Sequence, residues 1–91
     1  MSKIDLIKIL KVISNEWRAL ILLYLIENKE AYVGDIAEAL NISFRNTSKS
    51  LSILAKNNLV QSRKNFLRRY YSINTAKFPN DLLNFLKSVE L

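Results

Sequence analysis

A stripe of cations and hydroxyls is the feature of this sequence best suited to chemistry. If residues from Phe44 onward form a helix, one face carries no carboxylate and displays Arg45, Ser48, Lys49, Ser52 and Lys56, with Asn46 beside it. Cations can contact phosphates, and Arg and Asn side chains can also read base edges in the major groove. Because polar outer faces are common on surface helices, the stripe alone does not distinguish a solvated face from a nucleic-acid interface.

The elements that would position this stripe are two short helices joined by a tight turn. The first pattern places three small or apolar residues on one face: Ile36, Ala37 and Leu40. A break follows at residues 41–43, where Ser43 is a good N-cap for the second helix. The second pattern, at about residues 44–57, turns Thr47, Leu51 and Leu54 inward. This arrangement predicts a helix-turn-helix unit with the cationic stripe on its outer face.

A basic hairpin is predicted at about residues 60–73, because apolar and polar residues alternate there and β-branched and aromatic residues are frequent. Four cations without a carboxylate lie around its turn: Arg63, Lys64, Arg68 and Arg69. Such a hairpin beside a helix-turn-helix is a wing, which can lie along phosphates or enter the minor groove. Phe66 and Leu67 are apolar where a polar turn is expected. They could fold back onto the domain, wedge into the minor groove, or contact a partner.

The two terminal segments carry more apolar surface than one small core can cover. Residues 4–13 contain seven apolar residues in ten, and the last helical segment has an apolar stripe with Leu83 beside it. Trp17 to Glu27 is apolar all round and is the expected core helix. The terminal helices are therefore predicted to form a dimer interface through Ile4, Ile7, Leu10, Leu82, Phe85, Leu86 and Val89.

Length and composition limit the class of protein. The 91 residues predict one domain, 1–91, and a net charge of +6 suggests a polyanion such as nucleic acid or an acidic membrane. The absence of Cys and His removes disulfides, zinc fingers and imidazole catalysis. No signal peptide is apparent, and the longest apolar run has eight residues where a membrane span needs about 20. We expect a cytoplasmic, nucleoid-associated protein that is not an enzyme.

Three segments in register resemble the ArsR-type winged-helix repressors of bacteria and archaea. Residues 10–18 look like the opening segment of that family, residues 33–54 are similar to its helix-turn-helix, and residues 58–63 with 70–73 look like its wing. The resemblance implies a mainly α fold with a small β-hairpin, in the order helix, helix, helix, helix, strand, strand, helix. It also implies a homodimer through the first and last helices, with two recognition helices in successive major grooves of double-stranded DNA.

The resemblance implies DNA contacts from the residues at the family's contacting positions: Phe44, Arg45, Asn46, Ser48, Lys49 and Ser50. Metal-sensing members carry cysteines at the start of the first helix of the helix-turn-helix, where this chain reads Ala31 to Asp35 without a cysteine. We therefore expect no metal and no cofactor. The competing hypothesis is a protein-interaction winged helix within a larger nucleic-acid complex, in which the basic face would meet an acidic surface and Phe66 and Leu67 would be the anchor.

Overall fold

The computed structural model describes residues 1–89. Its five helices are α1 (Lys3–Ile13), α2 (Glu16–Asn28), α3 (Val33–Leu40), α4 (Phe44–Lys56) and α5 (Asn80–Lys87). Its three strands are β1 (Glu30–Tyr32), β2 (Val60–Asn65) and β3 (Arg68–Ile73). The predicted winged helix-turn-helix order is confirmed, with one short strand added before α3.

Side-chain caps fix where three of the helices begin. Ser2, Asn15 and Ser43 each accept a hydrogen bond from the backbone N–H three residues later, at 3.1 Å, which satisfies a donor that the helix itself leaves free. The first turns of α1 and α2 also carry Asp5 and Glu16 at the positive end of the helix dipole. The helix boundaries therefore follow from local sequence.

Asparagine ends both helices of the helix-turn-helix. Asn41 has φ 55° and Asn58 has φ 61°, so each adopts the left-handed conformation that usually calls for glycine. The N–H of Ile42 donates to the carbonyl of Ala37 at 2.9 Å, and the N–H of Leu59 donates to that of Leu54 at 3.0 Å. These two hydrogen bonds, each of which spans six residues, turn the chain sharply after α3 and after α4.

The sheet has the order β1-β3-β2 and both pairings are antiparallel. Glu30 pairs with Ser72 and Tyr32 with Tyr70, so β1 lies along the edge of β3 that faces away from β2. Asn65 pairs with Arg68, which leaves Phe66 and Leu67 as a two-residue turn at the tip of the wing. The hairpin was predicted, but its extension by β1 makes a three-stranded sheet.

The core joins α2 to the inner faces of the helix-turn-helix and the sheet. Ile21, Leu22 and Leu25 of α2 are at most 1% exposed, as predicted for the core helix. They belong to one cluster with the buried residues Ile36, Leu51, Leu54, Leu59, Val60, Tyr71, Ile73, Phe78 and Leu83. Because α3 and α4 share this core, the orientation of the outer face of α4 is fixed by the packing of its inner face.

The terminal helices lie at the margin of this core. No residue of α1 is buried, and Ile4, Ile7 and Leu10 are exposed. Arg18 ties α1 to α2, since its Nε donates to the carbonyl of Val12 at 2.7 Å. In α5 it is Leu83 that is buried, whereas the predicted stripe divides into half-buried Leu82 and Leu86 and exposed Phe85. Val89 lies beyond the end of α5 and is also exposed.

Candidate nucleic-acid interface

The outer face of α4 displays the predicted stripe. Thr47, Leu51 and Leu54 are fully buried. The exposed cations and hydroxyl recur at helical spacing along the opposite side: Arg45, Lys49, Ser52 and Lys56. Thr47 also donates its hydroxyl to the carbonyl of Ser43 at 2.9 Å, and this hydrogen bond helps to fix the first turn of α4. The stripe is thus carried by a helix with a fixed rotation about its axis.

The other residues expected at this interface differ in exposure. Asn46 is exposed beside the stripe, Ser48 is half-buried, and Phe44 is 55% exposed in the first turn. Ser50 is only 9% exposed and lies on the inner face, so the contact expected of it from the family resemblance is not supported by its position. The spacing explains this placement, because Ser50 follows Thr47 by three residues and precedes Leu54 by four.

The four wing cations lie on two different faces of the sheet. Side chains of paired residues share a face, and successive residues along a strand alternate. Lys64 and Arg69 form one pair on the face that carries buried Val60 and Tyr71, and Arg69 donates to the Ser62 hydroxyl at 2.9 Å. Arg63 and Arg68 lie on the opposite, outer face. The hairpin therefore presents cations on both sides.

Arg63 has a partner that the hairpin sequence did not indicate. Its Nε and Nη2 donate to the two carboxylate oxygens of Glu30, each at 2.7 Å. Hydrogen bonding to Arg63 lowers the pKa of Glu30, and the same contact raises the pKa of Arg63. The expectation of four cations without a carboxylate thus holds along the hairpin but not across the sheet, because β1 brings Glu30 into reach.

Two tyrosines complete this outer face. The Arg63 guanidinium carbon lies 5.0 Å from the centre of the Tyr70 ring, and that of Arg68 lies 4.6 Å from the centre of the Tyr32 ring. The two rings are tilted, with centres 6.2 Å apart. Neither tyrosine was predicted to have a role. Glu30 and Tyr32 are two residues apart and therefore share one face of β1. This spacing indicates contacts with the wing only once β1 is known to pair with β3.

The charge distribution is strongly one-sided around α4 and the wing. No Asp or Glu occurs between Glu38 and Asp81, a stretch that contains both elements. Within residues 1–89, the one ion pair is that of Arg63 with Glu30. The cations of α4 therefore keep their charge available to an external anion.

The described residues form neither a metal-binding cluster nor a membrane span. Across positions 1–89, no three Asp or Glu side chains stand together as a group that could hold a metal ion. None of the helices in this range has the length and apolarity that crossing a membrane requires.

The family model for "Bacterial regulatory protein, arsR family" matches residues 15–62, more than half of the chain. The chain belongs to the ArsR family. It is accordingly a winged helix-turn-helix transcriptional regulator that binds DNA, and it is not an enzyme. No curated protein matches its sequence.

Solved structures of ArsR-type regulators are similar along most of the chain. HlyU from Vibrio cholerae is 27% identical with a TM-score of 0.80, over 96% of this chain and 91% of HlyU. The transcriptional repressor BigR from Xylella fastidiosa is 27% identical with a TM-score of 0.78, over 90% of this chain and 79% of BigR. A homodimeric winged helix-turn-helix DNA-binding domain from Mycobacterium bovis is 27% identical with a TM-score of 0.75, over 90% of this chain and 71% of that domain.

Proposed function

We propose that this ArsR-family regulator binds duplex DNA sequence-selectively as a homodimer and acts at the nucleoid. The outer face of α4 enters the major groove, where Arg45, Asn46 and Lys49 read bases or phosphates. Lys64, Arg68 and Arg69 of the wing contact the adjacent backbone or minor groove. The observation that carries this proposal is the exposed, carboxylate-free stripe of α4, held in place by the buried face of the same helix.

The homodimer is supported by the exposed apolar surface of the terminal segments. Of the eleven large hydrophobic side chains that are exposed within residues 1–89, seven lie in or beside α1 and α5: Met1, Ile4, Leu6, Ile7, Leu10, Phe85 and Val89. A second copy that covers this surface would remove it from water, which is the main driving force of association. The Mycobacterium bovis domain, of similar fold, is itself homodimeric. A two-fold pair would place two α4 helices about 34 Å apart, one turn of duplex DNA.

The test begins with selection of bound duplexes from a random pool, followed by titration of the enriched duplex at several salt concentrations. With about eight phosphate contacts per dimer, the logarithm of affinity should fall against the logarithm of salt with a slope near −7. Substituting Arg45→Ala together with Lys49→Ala should weaken binding by about 1000-fold or more, because the dimer loses four contacts that are each worth about 1–3 kcal/mol.

The matched control removes two cations elsewhere on the surface, Lys29→Ala together with Lys77→Ala. Both residues are exposed and lie in connections outside α4, the wing and the terminal helices, so the control changes the net charge equally and should leave the affinity within about threefold. If both double variants lost affinity equally, α4 would contribute to DNA binding only through its net charge. Unchanged binding by the α4 variant would favour the protein-interaction hypothesis.

The interface is tested by measuring mass in solution. Phe85→Glu should shift the protein from dimer to monomer, because it places a charge in the apolar surface of α5. Ala76→Glu adds the same charge at an exposed position of the linker and should leave the dimer intact. A Phe85→Glu protein that stays dimeric would place the interface elsewhere.

A further inference from the structure

The tip of the wing exposes two large apolar side chains. Phe66 is 90% exposed and Leu67 is 97% exposed, more than any other large hydrophobic residue in positions 1–89. They are the two central residues of the turn, since Asn65 and Arg68 on either side are paired. The structure thus removes one of the three sequence-based alternatives, because neither side chain folds back onto the domain.

The backbone of the turn gives no reason for a phenylalanine. Phe66 has φ 58°, a left-handed conformation that costs a bulky L-residue about 1 kcal/mol or more. At Asn41 and Asn58 the same chain uses asparagine for this conformation. A two-residue hairpin turn with positive φ only at its first central residue favours glycine there. Phe66 therefore combines an unfavourable backbone with an unfavourable exposed ring, and both costs would be offset by a partner that covers the ring.

The charges next to the tip indicate what kind of partner this is. Arg68 follows the turn directly, and the pair Lys64 and Arg69 lies one step behind it. A polyanion is attracted to this tip, yet the covering surface must itself be apolar. The DNA minor groove has both properties, because phosphates line its rims and the faces of stacked bases become accessible when a base step opens. Its width of about 6 Å admits side chains rather than a whole hairpin.

We propose that Phe66 and Leu67 form a wedge that enters the minor groove beside each half-site and partly unstacks one base step. The inference rests on the proposed DNA-binding mode and adds to it that the regulator bends its site. Apolar wedges of this kind kink duplexes by about 20–90°. Pyrimidine–purine steps open most easily, so the selected duplexes should carry a TA or CA step at the wing position without any hydrogen bond to those bases.

The experiment compares the wild type with the double substitution Phe66→Gly and Leu67→Asn, which puts glycine at the position of positive φ and keeps the hairpin folded. The selected duplex carries 2-aminopurine at the flanking step and a pair of fluorescent dyes at its ends. With the wild type, 2-aminopurine emission should rise and the ends should approach each other. With the double variant, the emission should stay at its free-duplex value, the duplex should stay straight, and binding should weaken by about tenfold.

Further variants and probes separate the outcomes. Phe66→Tyr retains an aromatic wedge and should bend the duplex as the wild type does. If the double variant unstacks and bends the duplex as strongly as the wild type, or if the wild type binds a straight duplex, the wedge is overturned while the proposed function stands. If the wild type binds no duplex, the proposed function itself fails. Flotation with phosphatidylglycerol vesicles tests a lipid surface, and recovery of the wild type but not the double variant would overturn the wedge.

Discussion

The guanidinium of Arg68 lies on the ring of Tyr32, with 4.6 Å between its central carbon and the ring centre. Arg68 directly follows the turn of the wing, whereas Tyr32 ends β1 just before α3. The ring of Tyr32 in turn lies against Gly34, where an added Cβ would stand 2.7 Å from Cε2 of the ring. The start of the helix-turn-helix therefore supports a cation of the wing.

Loss of this support should weaken DNA binding without unfolding the protein. An exposed cation–π contact is worth about 0.5–1 kcal/mol, so Tyr32→Leu should reduce affinity by about two- to fivefold as Arg68 becomes mobile. Tyr32→Phe keeps the aromatic face and should bind within about twofold of the wild type. Affinity for the selected duplex at fixed salt, with thermal unfolding as a check, measures both. Equal affinities for the two variants would show that Arg68 needs no support.

Gly34→Ala provides an independent way to disturb the same contact. The new methyl group would meet the Tyr32 ring too closely, so the ring must move away from its place beneath Arg68. We expect the DNA affinity of this variant to fall as that of Tyr32→Leu does. Wild-type affinity in Gly34→Ala together with a loss in Tyr32→Leu would mean that the ring can shift and still hold Arg68.

The pairing of Arg63 with Glu30 should hold one wing cation back from DNA. Glu30→Gln removes the opposing charge, so Arg63 becomes available to a phosphate and the salt slope should steepen by about 0.9 per subunit. Arg63→Gln, made as the matched control, should leave the wild-type slope unchanged because Arg63 is already neutralised. A shallower slope in Arg63→Gln would show that Arg63 contacts DNA despite its carboxylate partner.

The ion pair of Arg63 with Glu30 also predicts how the stability of the protein depends on pH. Because Arg63 lowers the pKa of Glu30 in the folded protein, the stabilisation that the pair provides is present above the pKa of an unfolded Glu, about 4.3. It is lost as pH falls through the lower, folded pKa. Urea unfolding should therefore show the wild type to be more stable than Glu30→Gln at pH 7, and the difference should disappear in strong acid. A difference that persists there would come from another cause.

Local sequence was sufficient to predict the helix-turn-helix and the stripe on its surface. Ser43 sets the start of α4, and the spacing of Thr47, Leu51 and Leu54 sets its inner face, so the sequence alone predicts that Arg45 and Lys49 face outward. The same spacing argued against Ser50, which entered the expected interface only through family resemblance. Periodicity predicted the inner face of α4 correctly, but in α5 it did not single out Leu83 as the buried residue.

The outer face of the sheet could not be predicted in the same way. Glu30 and Arg63 are separated by 33 positions and meet only because β1 joins the far edge of β3. A strand of three residues has too little periodicity to reveal its partner. The exposure of Phe66 and Leu67 likewise depended on the length of the turn, since a one-residue change of register would move each neighbouring side chain to the other face.

The closure after α4 should depend on the left-handed backbone of Asn58 and not on its side chain. Asn58→Gly suits φ 61° at no steric cost and should leave the free energy of unfolding unchanged or slightly higher, whereas Asn58→Ala should lower it by about 1 kcal/mol. The adjacent Asn57 has φ −97° and donates its side-chain amide to the carbonyl of Ile53 at 2.8 Å, so Asn57→Ala loses a hydrogen bond without backbone strain. Urea unfolding of the three variants separates the two effects. If Asn58→Gly were as destabilised as Asn58→Ala, the side chain of Asn58, and not its backbone conformation, would direct Leu59 and β2 away from α4.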